Sequence, residues 1–336
     1  MEKGTVTDKR PALWWDARGD GRIACHLCPH SCVIQEAHPG MCGVRFNRGG
    51  TMEIPLYGMT SNVAVDPIEK KPLYHYHPGE QILSVGFVGC SFHCGFCQNW
   101  HISQGRDART RYMSPRALVD SAKRERSFGI AYTYSEPTVH AEYLIDTATL
   151  ARAEGLKNVL VSNGYLQAAP ASEVLALTDA ANIDLKGFNE SFYREETGGR
   201  LKEVQRFITQ AAGMTHLELT TLVIPGRNDS PQEIEEMSAW IASIRKDIPL
   251  HLSAYHPEYK YTIPTTTASA LRELAIVARR HLTYVYIGNV GGEGSQTMCT
   301  GCGAPLVDRQ GFSVQVSGLR GSSCAKCGKA SPIVVS

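Results

Sequence analysis

Cys90-Ser91-Phe92-His93-Cys94-Gly95-Phe96-Cys97 follows directly on the apolar run Ile82-Leu83-Ser84-Val85-Gly86-Phe87-Val88. A strand here delivers the chain to a short loop. The loop presents three thiols in a C-x3-C-x2-C spacing, close to one another. A structural zinc site takes four protein ligands. Iron–sulfur clusters held wholly by protein use four cysteines. Three thiolates with no fourth partner in the loop suit one face of a [4Fe–4S] cube whose last iron takes a non-protein ligand. The competing reading is a zinc site completed from a distance, for instance by His93 or His101.

Downstream of this loop the pattern alternates. Apolar strand-like runs lie at 82–88, 129–134, 157–162, 181–186, 216–224, 249–255 and 283–288. Helical patterns fill the gaps. Ser114-Pro115 starts a helix as N-cap and first helical residue, with Leu118, Val119 and Ala122 on one face. Residues 138–154 read as a long helix closed by Gly155. Ser230-Pro231-Gln232-Glu233 is a capping box, and Leu271, Leu274, Ala275 and Ala278 repeat with helical spacing. Strand-helix alternation implies βαβ units and a parallel sheet. The expected class is α/β, a partial TIM-like barrel of (β/α)6 type, because about 250 residues is usual for eight units.

In such barrels chemistry sits on the loops after the strands. The candidates in order are the three cysteines, then Tyr134-Ser135-Glu136-Pro137, Ser162-Asn163-Gly164 and Asp184-Leu185-Lys186. They continue with Pro225 to Asp229, Tyr255-His256-Pro257 and Gly288-Asn289. Singly each reads as a turn, a surface pair or a cap; together they share one face.

Two further cysteine groups flank this core. Cys25, Cys28, Cys32 and Cys42 fall in a Gly- and Pro-rich segment, and four thiolates there fit either zinc or an auxiliary iron–sulfur cluster. Cys299, Cys302, Cys324 and Cys327 form two C-x2-C pairs, each followed by glycine, as in a zinc ribbon. A segment this short needs a staple to fold, and zinc supplies it. The expected division is residues 1–80 as a Cys-rich element, 81–294 as the core barrel and 295–336 as the ribbon. The polar-aromatic stretch from Asp66 to Gly79 reads as a solvated connector or a substrate contact.

The 336 residues are 43% hydrophobic and 20% charged, enough for a large core. A net charge of +1 argues against nucleic-acid binding driven by a positive field. Met1 to Arg10 carries no apolar leader core, and no run approaches the ~18 residues of a membrane span. Eleven cysteines in C-x2-C groups argue for metal in a reducing compartment, so a cytoplasmic location is expected.

With these residues assembled, the chain resembles the radical S-adenosylmethionine (SAM) enzymes, whose cluster motif matches Cys90, Cys94, Phe96 and Cys97. Thr133 to Thr138, Asn163-Gly164-Tyr165 and Asp184-Leu185-Lys186 are similar to the pyruvate-formate-lyase-activating-enzyme-like branch. Cys25 to Arg45, Asp66 to Leu73, Cys97-Gln98-Asn99-Trp100 and the C-terminal ribbon resemble the AmmeMemoRadiSam system radical SAM enzymes. The resemblance implies that Cys90, Cys94 and Cys97 hold a [4Fe–4S] cluster whose fourth iron binds SAM. It implies Phe96 beside the adenine, and Ser135 and Glu136 at the SAM amino group. Asn163, Asp184 and Lys186 are implied at the methionyl or ribose part, and His256 near the adenine. It further implies one-electron supply from a flavodoxin or ferredoxin, reductive cleavage of SAM to methionine and a 5′-deoxyadenosyl radical, and partner proteins of the same system. Two alternatives are a glycyl-radical-enzyme activase and a non-catalytic zinc-binding adaptor.

Overall fold

The apolar runs become the strands of one sheet. The computed structural model describes residues 10–105, 108–291 and 294–335. The leader reading over Met1 to Arg10 therefore falls, Arg10 apart, outside the described residues. The eight strands are β1 (Asn62–Pro67), β2 (Gln81–Gly86), β3 (Gly129–Thr133), β4 (Lys157–Ser162), β5 (Ala180–Asp184), β6 (His216–Val223), β7 (Leu250–Ala254) and β8 (Val285–Gly288). They are hydrogen-bonded in the order β8-β7-β6-β5-β4-β3-β2-β1. Strands β2 to β8 run parallel, while β1 pairs antiparallel with β2, Asn62 opposite Gly86 and Pro67 opposite Gln81. Among the described residues β8 pairs with neither β1 nor β2, so the barrel is partial, as expected.

Among the described residues, six helices of nine or more residues cross between successive parallel strands: α1 (Pro115–Arg124), α2 (Ala141–Ala153), α3 (Ala168–Ala176), α4 (Leu201–Ala212), α5 (Pro231–Ile244) and α6 (Ala268–Ala278). Ser114 and Ser230 accept from the backbone N–H groups of Ala117 and Glu233, the capping their sequence called for. The reciprocal half of the capping box is diverted, since Glu233 accepts from the Phe188 N–H at 2.6 Å. The helix expected from residue 138 begins as a 3-10 turn over Pro137–His140 and becomes α-helical at Ala141.

Each parallel strand sends an apolar side chain to the core. Val85, Ile130, Leu160, Ile183, Leu219 and Leu252 are all at most 1% exposed, and Val285 of β8 is 4% exposed. Burying each contributes roughly 1.5–3 kcal/mol.

The stretch after β1 departs from the solvated-connector reading. Ile68, Lys71, Leu73, His75 and Tyr76 are buried. The N–H groups of Tyr74 and His75 donate to the Glu218 carboxylate of β6, at 3.0 and 2.7 Å. His216 and His251 bond the same carboxylate, and the Arg309 guanidinium packs 4.4 Å from the Tyr74 ring. A buried carboxylate is stable only when its acceptors are filled, and this segment fills them.

The C-terminal segment forms a three-stranded antiparallel sheet (Gly294–Met298, Pro305–Gln310, Ser313–Gln315) and a hairpin (Leu319–Arg320, Ser323–Cys324) around its own small core. The N-terminal segment forms a three-stranded antiparallel sheet (Trp15–Ala17, Ile23–Cys25, Val33–Ile34). It meets α2 through Arg45, whose fully buried guanidinium lies 2.9 Å from Glu142. Among the described residues, no helix is long and apolar enough to cross a membrane.

Candidate functional site

A cavity of about 540 Å³ opens at the C-terminal ends of the strands. Cys90, Cys94 and Cys97 line it, together with Phe96, Ser135, Glu136, Asn163, Asp184 and Lys186. Nine residues singled out from sequence thus converge from four strand-loop junctions. His256 stands outside this set: it is exposed and bonds the Asn289 carbonyl at 3.2 Å.

Local chemistry places each group. The Phe92 N–H donates to the Cys90 sulfur at 3.3 Å, and Asn163 Nδ2 reaches it at 3.7 Å. Cys97 Sγ lies 3.2 Å from Ser103 Oγ. Burial pushes the Cys90 thiol well up, and pushes that of Cys94 up to about 12 despite the nearby Lys186 ammonium. These sulfurs therefore keep their protons until a metal displaces them.

Glu136 is fully buried. Its Oε1 accepts from the Thr138 N–H and hydroxyl and from the Ser162 hydroxyl, and its Oε2 from the Asn163 N–H at 2.8 Å. Burial raises its pKa, and these donors restrain the rise. Ser135 Oγ donates to the Phe87 carbonyl at 2.9 Å. Phe96 stacks on Phe192, with ring centroids 6.1 Å apart. Lys186 Nζ lies 2.8 Å from Asp184 Oδ2; burial pulls the ammonium down, but the Asp184 carboxylate outweighs it and holds the proton.

The donor set fits the open-cluster expectation. Three thiols face the cavity, and the remaining wall offers hydroxyls, amides, two carboxylates and three ammonium groups for a polar ligand. Neither His93 nor His101 lines this cavity as a fourth zinc ligand would. The C-terminal cysteines are built differently. All four Sγ atoms lie within 4.8 Å of one another, with Cys299–Cys327 at 3.6 Å and Cys302–Cys324 at 3.7 Å. A tetrahedron of ~2.3 Å Zn–S bonds needs sulfurs about 3.8 Å apart. The N–H groups of Cys302 and Gly301 hold the Cys299 thiol down to about 6, as a knuckle does. This group is compatible with a zinc ribbon.

Part of the cavity wall comes from the Asp66-to-Gly79 stretch and from Tyr134, the first of the candidates after β3. Lys70, Lys71 and Tyr134 line it. Asp66 draws these groups together: Lys70 and Lys71 lie 2.7 and 2.6 Å from its carboxylate, and the Tyr134 hydroxyl donates to it. Lys71 also sits 4.6 Å from the Tyr134 ring. Tyr134 has a φ of +71°, a left-handed conformation that a tyrosine adopts only when its surroundings hold it. The visible signal was a lysine pair before Pro72 in an otherwise aromatic stretch. Conversely, the loops after β6 and β8 serve the fold. Asn228 caps its own turn and bonds the Lys186 and Leu222 carbonyls, and Asn289 donates to the Ala254 carbonyl.

Comparison with known proteins bears on this arrangement. A sequence model described as the Radical SAM superfamily matches residues 84–241. An uncharacterized protein of Methanocaldococcus jannaschii is 38% identical over 97% of this chain and 100% of its own length. A pyruvate formate-lyase-activating enzyme of Clostridium pasteurianum is 24% identical over 51% of this chain and 74% of its own. Among solved structures, a domain of a pyruvate-formate lyase-activating enzyme from Bacteroides vulgatus is 18% identical. It covers 48% of this chain and 98% of that one, with a TM-score of 0.44.

Proposed function

The chain belongs to the radical SAM superfamily, and from that premise we propose that Cys90, Cys94 and Cys97 hold three irons of a [4Fe–4S] cluster and leave the fourth to SAM. Superfamily membership implies an enzyme and sets aside the non-catalytic adaptor. When bound and reduced by one electron, the cluster and SAM supply hydrogen-atom abstraction by a 5′-deoxyadenosyl radical. The observation that carries this reading is the convergence of three thiols with a polar wall on one cavity.

The chain's own residues bind and orient. Glu136 Oε2 and the Ser135 hydroxyl face the SAM amino group, and Glu136 is held rigid by its four donors. Asn163, Asp184 and Lys186 take the methionyl and ribose part, and Phe96 takes the adenine. His256 joins only from the rim. The wall of Lys70, Lys71 and Tyr134 faces the substrate, and burial of the cavity floor excludes water and stray hydrogen donors.

The divisions 1–80, 81–294 and 295–336, zinc at the C-terminal cysteines, a flavodoxin or ferredoxin as electron donor and a cytoplasmic location belong to the same reading. All eleven cysteines are free, as a reducing compartment requires. The finer assignment, to the AmmeMemoRadiSam system with partner proteins of its own, rests on Cys25 to Arg45, Asp66 to Leu73 and the ribbon. A second reading, activation of a glycyl-radical enzyme, is favoured by the Clostridium relative's name. That relative aligns with only 51% of this chain.

Anaerobic reconstitution tests the reading. A brown protein whose visible absorbance bleaches with dithionite, and which turns SAM into 5′-deoxyadenosine, is expected. A colourless protein loaded only with zinc would refute it. Deuterium transfer from labelled extract fractions into 5′-deoxyadenosine then identifies the substrate.

A further inference from the structure

Lys71 brings a charge into the cavity wall that its neighbours balance incompletely. Its side chain is 1% exposed, and a lysine is almost never buried this far unless it is paired. Its partner is shared. Asp66 Oδ1 takes Lys70 at 2.7 Å, and Asp66 Oδ2 takes both Lys71 at 2.6 Å and the Tyr134 hydroxyl. Among the described residues, Asp66 is the one carboxylate in ion-pair reach of either lysine. Two ammonium groups on one carboxylate leave a net charge of +1. Burial lowers the Lys71 pKa, and Asp66 offsets this in part. A further negative charge beside it would favour the ammonium.

The other charged groups of the cavity do not supply that charge. Lys186 answers Asp184 at 2.8 Å, and the Glu136 carboxylate is filled by Thr138, Ser162 and Asn163. These groups stand with the cysteine loop, Glu136 acting on Cys90, and Lys186 and Asp184 on Cys94. The lysines come from elsewhere. Strand β1 ends at Pro67 opposite Gln81, the start of β2, whereas the cysteine loop follows the end of β2. Lys70 and Lys71 therefore enter the cavity from a different side than the thiols.

The pair is also fixed in place. Lys70 ends a 3-10 turn, and the Lys71 N–H donates to the Ile68 carbonyl at 2.9 Å. The Tyr134 ring beside Lys71 is held by its own backbone, whose carbonyl accepts from Asn99 Nδ2 at 2.8 Å. A Cβ at Gly86 would lie 2.8 Å from that ring, so the strand residue beneath it has no side chain. Groups held this way need little reordering to receive a ligand. The cavity, about 540 Å³, has the size of a small-molecule site.

We propose that Lys70 and Lys71, positioned by Asp66 and Tyr134, hold a carboxylate or phosphate group of the substrate, which is a small anionic compound. The inference rests on the function proposed above, because the same cavity holds the reacting centre. Lysine binds either group as a point charge, without the planar fork that arginine presents.

Calorimetric titration of the full chain, reconstituted anaerobically and saturated with SAM, tests the site without turnover. Inorganic phosphate or succinate should bind, and the neutral succinamide should not; the anion that binds identifies the group. Binding of neither anion, or equal binding of succinamide, overturns the proposal. Lys70→Gln removes the surplus charge and keeps the buried Lys71–Asp66 pair. Lys71→Met with Asp66→Asn removes that pair as a unit, the change that best preserves a fold. Each should weaken anion binding about tenfold; a purely structural pair predicts unchanged affinity, and unchanged affinity in either variant overturns the assignment. Deuterated extract, ultrafiltered and sorted on an anion exchanger, then tests the substrate. Deuterium should reach 5′-deoxyadenosine from retained fractions. Deuterium from unretained fractions alone, from the macromolecular retentate alone, or from none while SAM is still cleaved overturns the proposal. Absence of all 5′-deoxyadenosine, with anion binding intact, would sink the function proposed above instead, which separates the two failures.

Discussion

Cys90, Cys94 and Cys97 at the barrel mouth, and Cys299, Cys302, Cys324 and Cys327 in the C-terminal module, put one side chain to opposite uses. The ribbon thiols close on one another at 3.6 and 3.7 Å and leave no position for an outside ligand. The barrel thiols are three, and they share their cavity with Glu136, Asn163 and Lys186. Ligand count and spacing therefore separate a staple from a reactive centre: a closed shell stabilises the fold, and an open one admits a substrate.

The comparison is broken most directly at the open site. Cys90→Ala is expected to abolish SAM cleavage, a loss of more than about a hundredfold, while the ribbon zinc stays bound. Product analysis for 5′-deoxyadenosine with zinc quantitation checks both halves. The reciprocal change, Cys299→Ser with Cys327→Ser, should release zinc and leave residues 295–335 open to protease, with SAM cleavage retained. Structural zinc stabilises small modules by roughly 10–16 kcal/mol, so local unfolding is expected rather than a modest loosening. Limited proteolysis reads it, and loss of SAM cleavage in step with zinc would erase the distinction.

Arg309→Met tests how the ribbon is held to the barrel. This buried guanidinium donates to Thr297 Oγ1 at 3.0 Å and to the Tyr74 carbonyl, and lies 3.8 Å from Glu69. Its removal leaves Glu69 buried without a cation, at a cost of about 3–5 kcal/mol, seen as a lower denaturant midpoint with the zinc content unchanged. At the open site, Glu136→Gln sets an amide N–H against the Asn163 N–H donor. The KM for SAM should rise about tenfold, near 1.4 kcal/mol, with the iron content intact.

The smallest effect concerns pH. Burial lowers His75 to about 3 and His140 to about 4, from the ordinary 6.5. The unfolded chain therefore takes up protons first on acidification. Stability is full above about pH 6.5 and declines as pH falls toward 4, by on the order of 1 kcal/mol per histidine at pH 5.5. Thermal melts across this range check the direction; a melting temperature that rose on acidification would contradict it.

The strands and helices were legible because their signals are local. Ser114 and Ser230 cap through residues three positions away, and each apolar run carries its own strand. For the segment after Asp66 the sequence leaves a solvated connector and a substrate contact both open, for the opposite reason. What holds the Tyr74 and His75 backbone is Glu218, more than 140 positions away, and what bonds the Tyr74 carbonyl is Arg309, farther still. His256 follows the sixth parallel strand as expected, but the backbone there turns it to solvent.

The sequence by itself determined the grouping of the cysteines and the order of βα units. Chelate spacing and hydrophobic period are short-range properties that any fold must respect. Tertiary structure alone decided that Tyr134, Asp66 and Lys71 form one wall, and that Cys42 rests on Gly89 beside the cavity thiols. The Tyr134–Asp66 and Cys42–Gly89 contacts join residues tens of positions apart. They arise only when the sheet brings β1 beside β2 and the N-terminal element onto the loop.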